Sequence, residues 1–339
     1  MSATLRVGFI GSTKRGLMTL EALQARGAHI VGIVSLAQDA HEHDRHEAQI
    51  EAFAQEHNIA HHATRWMRDR DYRALLKDEW RVDLVFVVGC RIIITEDVYS
   101  APPLGMYAVH DSLIPEYRGF APLNWAILNG EEEMGVTLFA MADGMDAGDI
   151  VAQQPVPIAP HATAPQVYAD VCQATTDLVL LVYQQLRDGK TLTRTPQDYS
   201  IGSFTCSRTP NDGVVDWSWE TARIYNLVRA LAFPYVGAYT FYQNRKLIIW
   251  RAEPLHDPRR FVGRVHGRVL AVHKQGYIDV MTGDGILRLH EVSWDGEAVV
   301  APYTLIKSVR ARLGVDVGEL VERVNALEKR LTDLEARLL

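Results

Sequence analysis

Cysteine is nearly absent from this chain: 339 residues carry three, Cys90, Cys172 and Cys206. An odd number at wide, irregular spacing gives neither a disulfide framework nor a cysteine-based zinc site, and it is the thiol usage of a protein kept reduced in the cytoplasm. Cys90, inside an apolar run, reads as core. Positive charge is also short. With 35 Lys and Arg against 42 Asp and Glu, the net charge is −7, and the chain lacks the basic face that phosphate backbones require. No nucleic-acid partner is expected, and the one basic cluster, Arg259, Arg260, Arg264 and Arg268, reads as a solvated hairpin. No apolar run approaches the roughly 20 residues of a bilayer span, and no signal peptide is recognisable, so no membrane partner is expected. Histidine is gathered at His41, His43, His46, His57, His61 and His62, but HEHDRH fits no common zinc spacing; no metal is expected.

What the chain does have is an ordinary globular composition, 47% hydrophobic and 23% charged, and length enough for two domains. Strands at 5–10, 29–34 and 83–88 alternate with helices at 16–25, 47–57 and 71–76, which predicts a doubly wound, Rossmann-like α/β domain. Gly11 to Gly16 matches neither the dinucleotide nor the ATPase fingerprint and reads as a turn. A short buried strand follows at 106–109, then a loop at 113–119 broken by Pro115 and Gly119. A helix opens at Ala121, with Pro122 in its first turn, and closes at Gly130. The apolar run 136–141 is followed by the Gly-rich segment 143–148. Strand, crossover and strand predict a parallel pair, with His110 and Asp146 just past carboxyl ends, where ligands collect in such sheets. A carboxylate beside an imidazole fixes its tautomer, raises its pKa and prepares it for general acid/base work. The competing reading is a satisfied core histidine with an unrelated loop aspartate.

Further along, 163–186 is a long amphipathic helix and 195–198 reads as a linker. From Phe204 onward short strands at 214–217, 237–242, 246–252, 267–272, 277–281 and 285–292, interrupted by a helix at 221–232, predict a small barrel. At the end of the chain Val317, Leu320, Val324, Leu327, Leu331, Leu334 and Leu338 recur at alternating spacings of three and four. This is a heptad pattern, and it predicts a coiled-coil helix over 317–339 that makes the protein a homo-oligomer; packing against its own barrel is the alternative.

Two words carry a resemblance. Ala108-Val109-His110-Asp111-Ser112-Leu113-Ile114-Pro115-Glu116-Tyr117-Arg118-Gly119 and Asp143-Gly144-Met145-Asp146-Ala147-Gly148 resemble Asn-x-His-x-Ser-Leu-Leu-Pro-x-Tyr-Arg-Gly and Asp-x-Gly-x-Asp-x-Gly of the 10-formyltetrahydrofolate-dependent formyltransferases. Similarity continues through LRVGFIG, LMTLEALQA, SFTCSRTPNDGVVDWSW and FPYVGAYTFY, over about residues 4–300. The resemblance implies a catalytic domain at 1–198, an OB-like barrel at 204–303 and 10-formyltetrahydrofolate as formyl donor. It implies His110 and Asp146 as catalytic residues. Main-chain groups of Arg91, Ile92, Ile93 and Ile94, closed over by Ala142, Asp143, Gly144, Met145 and Asp146, would hold the pterin. Ser112, Pro115, Tyr117, Arg118 and Arg208 would meet the acceptor.

One position departs. Where the family has an Asn that helps hold the oxyanion, this chain has Ala108, and losing one such donor typically costs on the order of a hundred- to a thousand-fold in turnover. Three readings stay open: an engineered Asn-to-Ala variant, a natural enzyme taking the donor from Tyr107 or Ser112, or a folate or nucleotide-sugar binder without catalysis. RGFAPLNW and SRTPND are most similar to enzymes that formylate nucleotide-linked 4-amino sugars, so an amino-sugar amine is the expected acceptor. HDSL and TPQD-x-S are shared with hydroxyornithine formyltransferases of siderophore synthesis, the second expectation. Initiator-tRNA formylation comes third, because of the charge.

Overall fold

The computed structural model describes residues 4–37, 45–257, 259–315 and 317–338; His41 and His43 lie outside them. The chain divides into two compact units, one made of residues up to Ile127 with Glu131–Arg208, the other of Leu128–Gly130 with the residues from Thr209 on.

The first unit runs β1 (Arg6–Ile10), α1 (Lys14–Ala25), β2 (His29–Leu36), α2 (Glu47–Glu56), β3 (Ala60–Thr64), α3 (Tyr72–Ala74), β4 (Leu84–Val88), α4 (Glu96–Tyr99), β5 (Met106–His110), β6 (Arg118–Gly119), α5 (Pro122–Asn129), β7 (Glu133–Ala140), β8 (Ile150–Pro157), α6 (Ala164–Arg187) and β9 (Phe204–Thr205). Seven strands form one sheet in the order β3-β2-β1-β4-β5-β7-β8. β1 to β5 are parallel, and β4 is buried at every residue, as a central strand covered on both faces must be. α1 and α6 pack Leu20, Leu23, Val179 and Val182 on one face with Phe9 and Phe86. Tyr72, Leu75, Trp80, Ile94 and Val98 cover the other, against Ile10, Val85 and Val87.

Two expectations fail here. The strands bearing the motif are not a parallel pair: β7 runs antiparallel to β5, with His110 opposite Thr137 and Tyr107 opposite Ala140. The connection from His110 to Glu133 leaves and re-enters the sheet at the same end of the two strands, so α5 makes no crossover. Segment 195–198 is no linker, since Thr195 exchanges two backbone hydrogen bonds of 2.8 Å with Ile150. Strands β3 and β8, both unforeseen, are the two edges of the sheet.

The second unit holds β10 (Ala238–Tyr242), β11 (Arg245–Leu255), β12 (Val269–Val272), β13 (Ile278–Met281) and β14 (Ile286–Trp294), with α7 (Thr221–Ala230), α8 (Pro302–Leu305) and α9 (Val317–Leu338). The strands form an antiparallel sheet in the order β10-β11-β14-β13-β12. β10 turns into β11 through Gln243 and Asn244, both at positive φ (50° and 59°), the twist a two-residue hairpin needs. Trp217, Ile224, Leu247, Val280 and Leu289 form its core.

The sheet order reverses between β1 and β4, and the chain leaving β1 is pressed against β4 there. A Cβ on Gly11 would overlap the Val88 carbonyl oxygen, which is backbone and cannot swing aside. Gly11→Ala is expected to lower stability by about 1–3 kcal/mol through overpacking, read as a lower thermal midpoint; an unchanged midpoint would mean the two loops separate freely.

Candidate active site

His110 is the last residue of β5. Alternation along the strand puts it on the same face as Met106 and Ala108, which lie in the cluster under Ile94 and Val98. It is 7% exposed. Its Nε2 lies 2.8 Å from the Tyr117 carbonyl oxygen; a carbonyl only accepts, so Nε2 carries the proton and donates. Nδ1 faces Asp146 Oδ2 at 3.5 Å. The two residues of the motif are thus brought together, although the tautomer is set by Tyr117 and not by the aspartate. Tyr117 and Asp146 both hold positive φ, 57° and 50°. Such strain persists only where surrounding structure over-determines it, and here both loops are pinned: Asp146 Oδ2 accepts the Gly119 N–H at 2.8 Å, and Tyr117 N–H donates to Ser203 Oγ at 2.9 Å.

The expected rise in the His110 pKa is reversed. Burial disfavours the imidazolium and pushes the pKa below its ordinary value; Asp146 and the Tyr117 carbonyl pull the other way without prevailing, and the Arg15 guanidinium lowers it further. Arg15, 6% exposed, makes a buried ion pair with Asp111, the residue after His110. Sequence reading passed over it because it sits in α1, far from the motif.

Arg118 was expected at the acceptor and is elsewhere. It is the largest fully buried side chain, 0% exposed. Its Nε and Nη2 donate to Gln197 Oε1 at 3.0 and 2.8 Å, Nη1 donates to the Ile201 carbonyl at 3.3 Å, and the rings of Tyr199 and Phe204 lie 5.1 and 5.5 Å from Cζ. The Gln197 amide in turn donates to the carbonyls of Asp146 and Gly148 at 2.8 and 2.6 Å. One side chain thereby fastens both halves of the motif. Only TPQD-x-S, noted in the sequence as a similarity, pointed to it.

Ser112 is also turned away from any acceptor, being 3% exposed with its hydroxyl donating to the Glu116 carbonyl at 2.6 Å. Its own carbonyl accepts from Thr137 Oγ1 at 2.6 Å. Tyr107 cannot replace the missing Asn, since it packs in the opposite face of the sheet and donates its hydroxyl to the Leu104 carbonyl at 2.6 Å. The Pro115 carbonyl accepts the Ser203 N–H. Tyr117 OH donates to Glu131 at 2.6 Å. The Arg208 guanidinium stacks 4.7 Å from the centre of the Trp125 ring.

After β4 the loop exposes Arg91 and leaves Ile93 86% exposed while Ile94 is buried. Across from it Ala142, Asp143 and Gly144 are exposed and Met145 is 48% exposed. The two segments are tied together where Tyr99 OH, at the end of α4, donates to Asp143 Oδ1 at 3.3 Å. Cys90 at the loop's start has its thiol pushed up to about 11 by burial, so it stays protonated and inert. Among the described residues no group of histidine, cysteine and acidic side chains is placed to hold a metal ion.

The chain is similar to known proteins. The formyl transferase family model matches residues 6–182, and the model for the formyl transferase C-terminal domain matches 208–310. Among solved structures, the N-formyltransferase from Helicobacter canadensis, in complex with folinic acid and dTDP-3-aminofucose, is 18% identical with a TM-score of 0.65, over 84% of this chain and 98% of that one. WlaRD, a sugar 3N-formyl transferase with dTDP and 5-N-formyl-THF, is 18% identical with a TM-score of 0.63, over 87% and 99%. A variant of HypX from Aquifex aeolicus is 20% identical with a TM-score of 0.58 over 86% of this chain; the chain spans 44% of HypX's length. At such identities the structures establish a shared fold, and the family rests on the models: matched over more than half of its residues, with the motif's histidine and aspartate side by side, this chain belongs to the formyl transferase family.

Proposed function

We propose that this chain is an N-formyltransferase that moves a formyl group from 10-formyltetrahydrofolate to the amine of a nucleotide-linked amino sugar, in the cytoplasm, and that it self-associates through residues 317–339. The observation that carries the reading is the His110 Nδ1–Asp146 Oδ2 pair at 3.5 Å, beside the exposed apolar loops at Ile93 and Met145. The folate and nucleotide-sugar ligands of the two sugar N-formyltransferases support donor and acceptor. Hydroxyornithine stays as the alternative acceptor, on the strength of TPQD-x-S.

Chemically, the acceptor amine attacks the formyl carbon and a C–N bond forms while the formyl oxygen takes up negative charge. The proton shed by that nitrogen goes to His110 Nδ1, the ring atom left bare by the Nε2 donation to Tyr117. Asp146 steadies the imidazolium that results. As the bond to N10 of the folate breaks, the same proton is returned to N10. Burial keeps His110 neutral and ready to accept near neutral pH. A second reading, a ligand binder without turnover, is favoured by Ala108 alone, which offers the oxyanion no donor.

Three measurements test this. Mass spectrometry of reactions with formylfolate and a panel of amino-sugar nucleotides and N-hydroxyornithine should detect one formylated amine, and Ala108→Asn should raise its turnover by about 10²–10³; if neither form consumes formylfolate, the binder reading replaces the enzyme. The acid limb of kcat/KM should have its midpoint below 6.5, since a lowered His110 pKa leaves the base unprotonated down to that range; a midpoint above 7 would mean Asp146 outweighs burial. Gln197→Ala should lower stability by about 1.5–3 kcal/mol, the usual worth of a hydrogen bond to a charged group. Gln197→Glu keeps the acceptor for Arg118 but loses the donor to Asp146 and Gly148, so it should keep more of the stability while losing kcat. Equal losses of kcat and stability in both would make Gln197 a plain packing residue.

A further inference from the structure

Helix α9 (Val317–Leu338) leaves its apolar stripe in solvent: Val317 is 68% exposed, Leu320 38%, Val324 51%, Leu327 58%, Leu331 58% and Leu334 51%. The stripe is therefore not buried against its own chain, and six apolar side chains along one line of a helix need a partner of the same shape. We propose that α9 pairs with α9 of a second copy of this chain as a parallel, in-register, two-stranded coiled coil. This rests on self-association through 317–339 and specifies its geometry.

Three features of the sequence choose that geometry. Val317 and Val324 occupy the first two a positions, Leu331 and Leu338 the last two, and Leu320, Leu327 and Leu334 the d positions; β-branched residues at a with leucine at d favour two strands, as the first half of the helix has, and the isoleucine at d that trimers and tetramers use is nowhere in the seam. The flanks are sorted by charge. Every g position after the first turn is arginine, Arg323, Arg330 and Arg337, while the e positions are Val321, Glu328 and Glu335. In a parallel pair g of one helix lies beside e of the next heptad on the other, so Arg323 meets Glu328 of the second copy and Arg330 meets its Glu335, on both sides of the seam. An antiparallel pair would set g against g and e against e, arginine on arginine and glutamate on glutamate. Such flanking charges set partner choice and orientation more than they set stability.

Sedimentation equilibrium on the full chain should give a concentration-dependent mass of twice the 38.1 kDa chain. Reversing the charges in R323E/R330E, or in E328R/E335R, should weaken self-association at least tenfold in each variant alone, and an equimolar mixture of the two should restore the dimer. Leu320→Cys in a Cys206→Ser background should form an intermolecular disulfide, because only in the parallel register does position 320 face itself across the seam. A monomer at every concentration overturns self-association and this proposal with it. A dimer that is indifferent to charge reversal, or that fails to cross-link at 320, overturns the parallel register alone, and a trimeric mass overturns the two-stranded form. Amine formylation by the monomeric variants is a separate readout, so failure here leaves the reading of the active site standing.

Discussion

A fully buried guanidinium is the constraint around which the candidate site is arranged. Arg118 is fully shielded from solvent, and an uncompensated charge of that kind costs several kcal/mol. Its acceptors are the Gln197 amide oxygen and the carbonyls of Asp198 and Ile201, all from one short stretch of chain that must therefore lie over the motif. That stretch adds the β6–β9 pairing and the Tyr117–Ser203 hydrogen bond. With both sides of the loop held, Tyr117 can stay at positive φ and aim its carbonyl at the His110 imidazole.

Fastening of this sort explains why the His110 tautomer is set by backbone. Tyr117 supplies a carbonyl and Gly119 an N–H, two backbone groups that every residue but proline carries, whereas the side chains of the same motif, Ser112 and Arg118, are consumed in holding the loop. The motif's spelling is thus largely a specification of conformation, one that brings His110 and Asp146 together. Arg15 adds a charge from the other face of the sheet, and its ion pair with Asp111 links the end of β5 to the start of α1.

Much of the fold was legible because the central strands advertise themselves: β4 is an unbroken apolar run and β1 is buried from Val7 to Ile10, and Pro122 and Gly130 bracket α5 as the capping rules require. The edges were not. β3 reads AHHAT and β8 reads IVAQQPVP, and edge strands tolerate polar residues and proline because one side of their backbone goes unpaired; by the same token they carry no apolar signal. Orientation of β7 was misread because a helix between two strands resembles a crossover, and nothing in the spacing says on which side of the sheet the chain returns. At the site, the pairing of His110 with Asp146 could be foreseen from the motif. The sign of the histidine's pKa shift could not, since it depends on burial by residues scattered along the chain. Gln197 and Thr137 were missed for a similar reason: a neutral side chain making three or four hydrogen bonds leaves no trace in composition or period.

The clasp on Arg118 also has a bearing on synthesis. A nascent chain that has emerged only as far as α6 already has every strand of the large sheet, yet its arginine lacks all the acceptors that lie between 197 and 201. The His110–Asp146 pair is therefore expected to become ordered only after residues 197–201 have emerged, well behind the motif itself, and a prematurely released fragment would keep the sheet around a loosened pair.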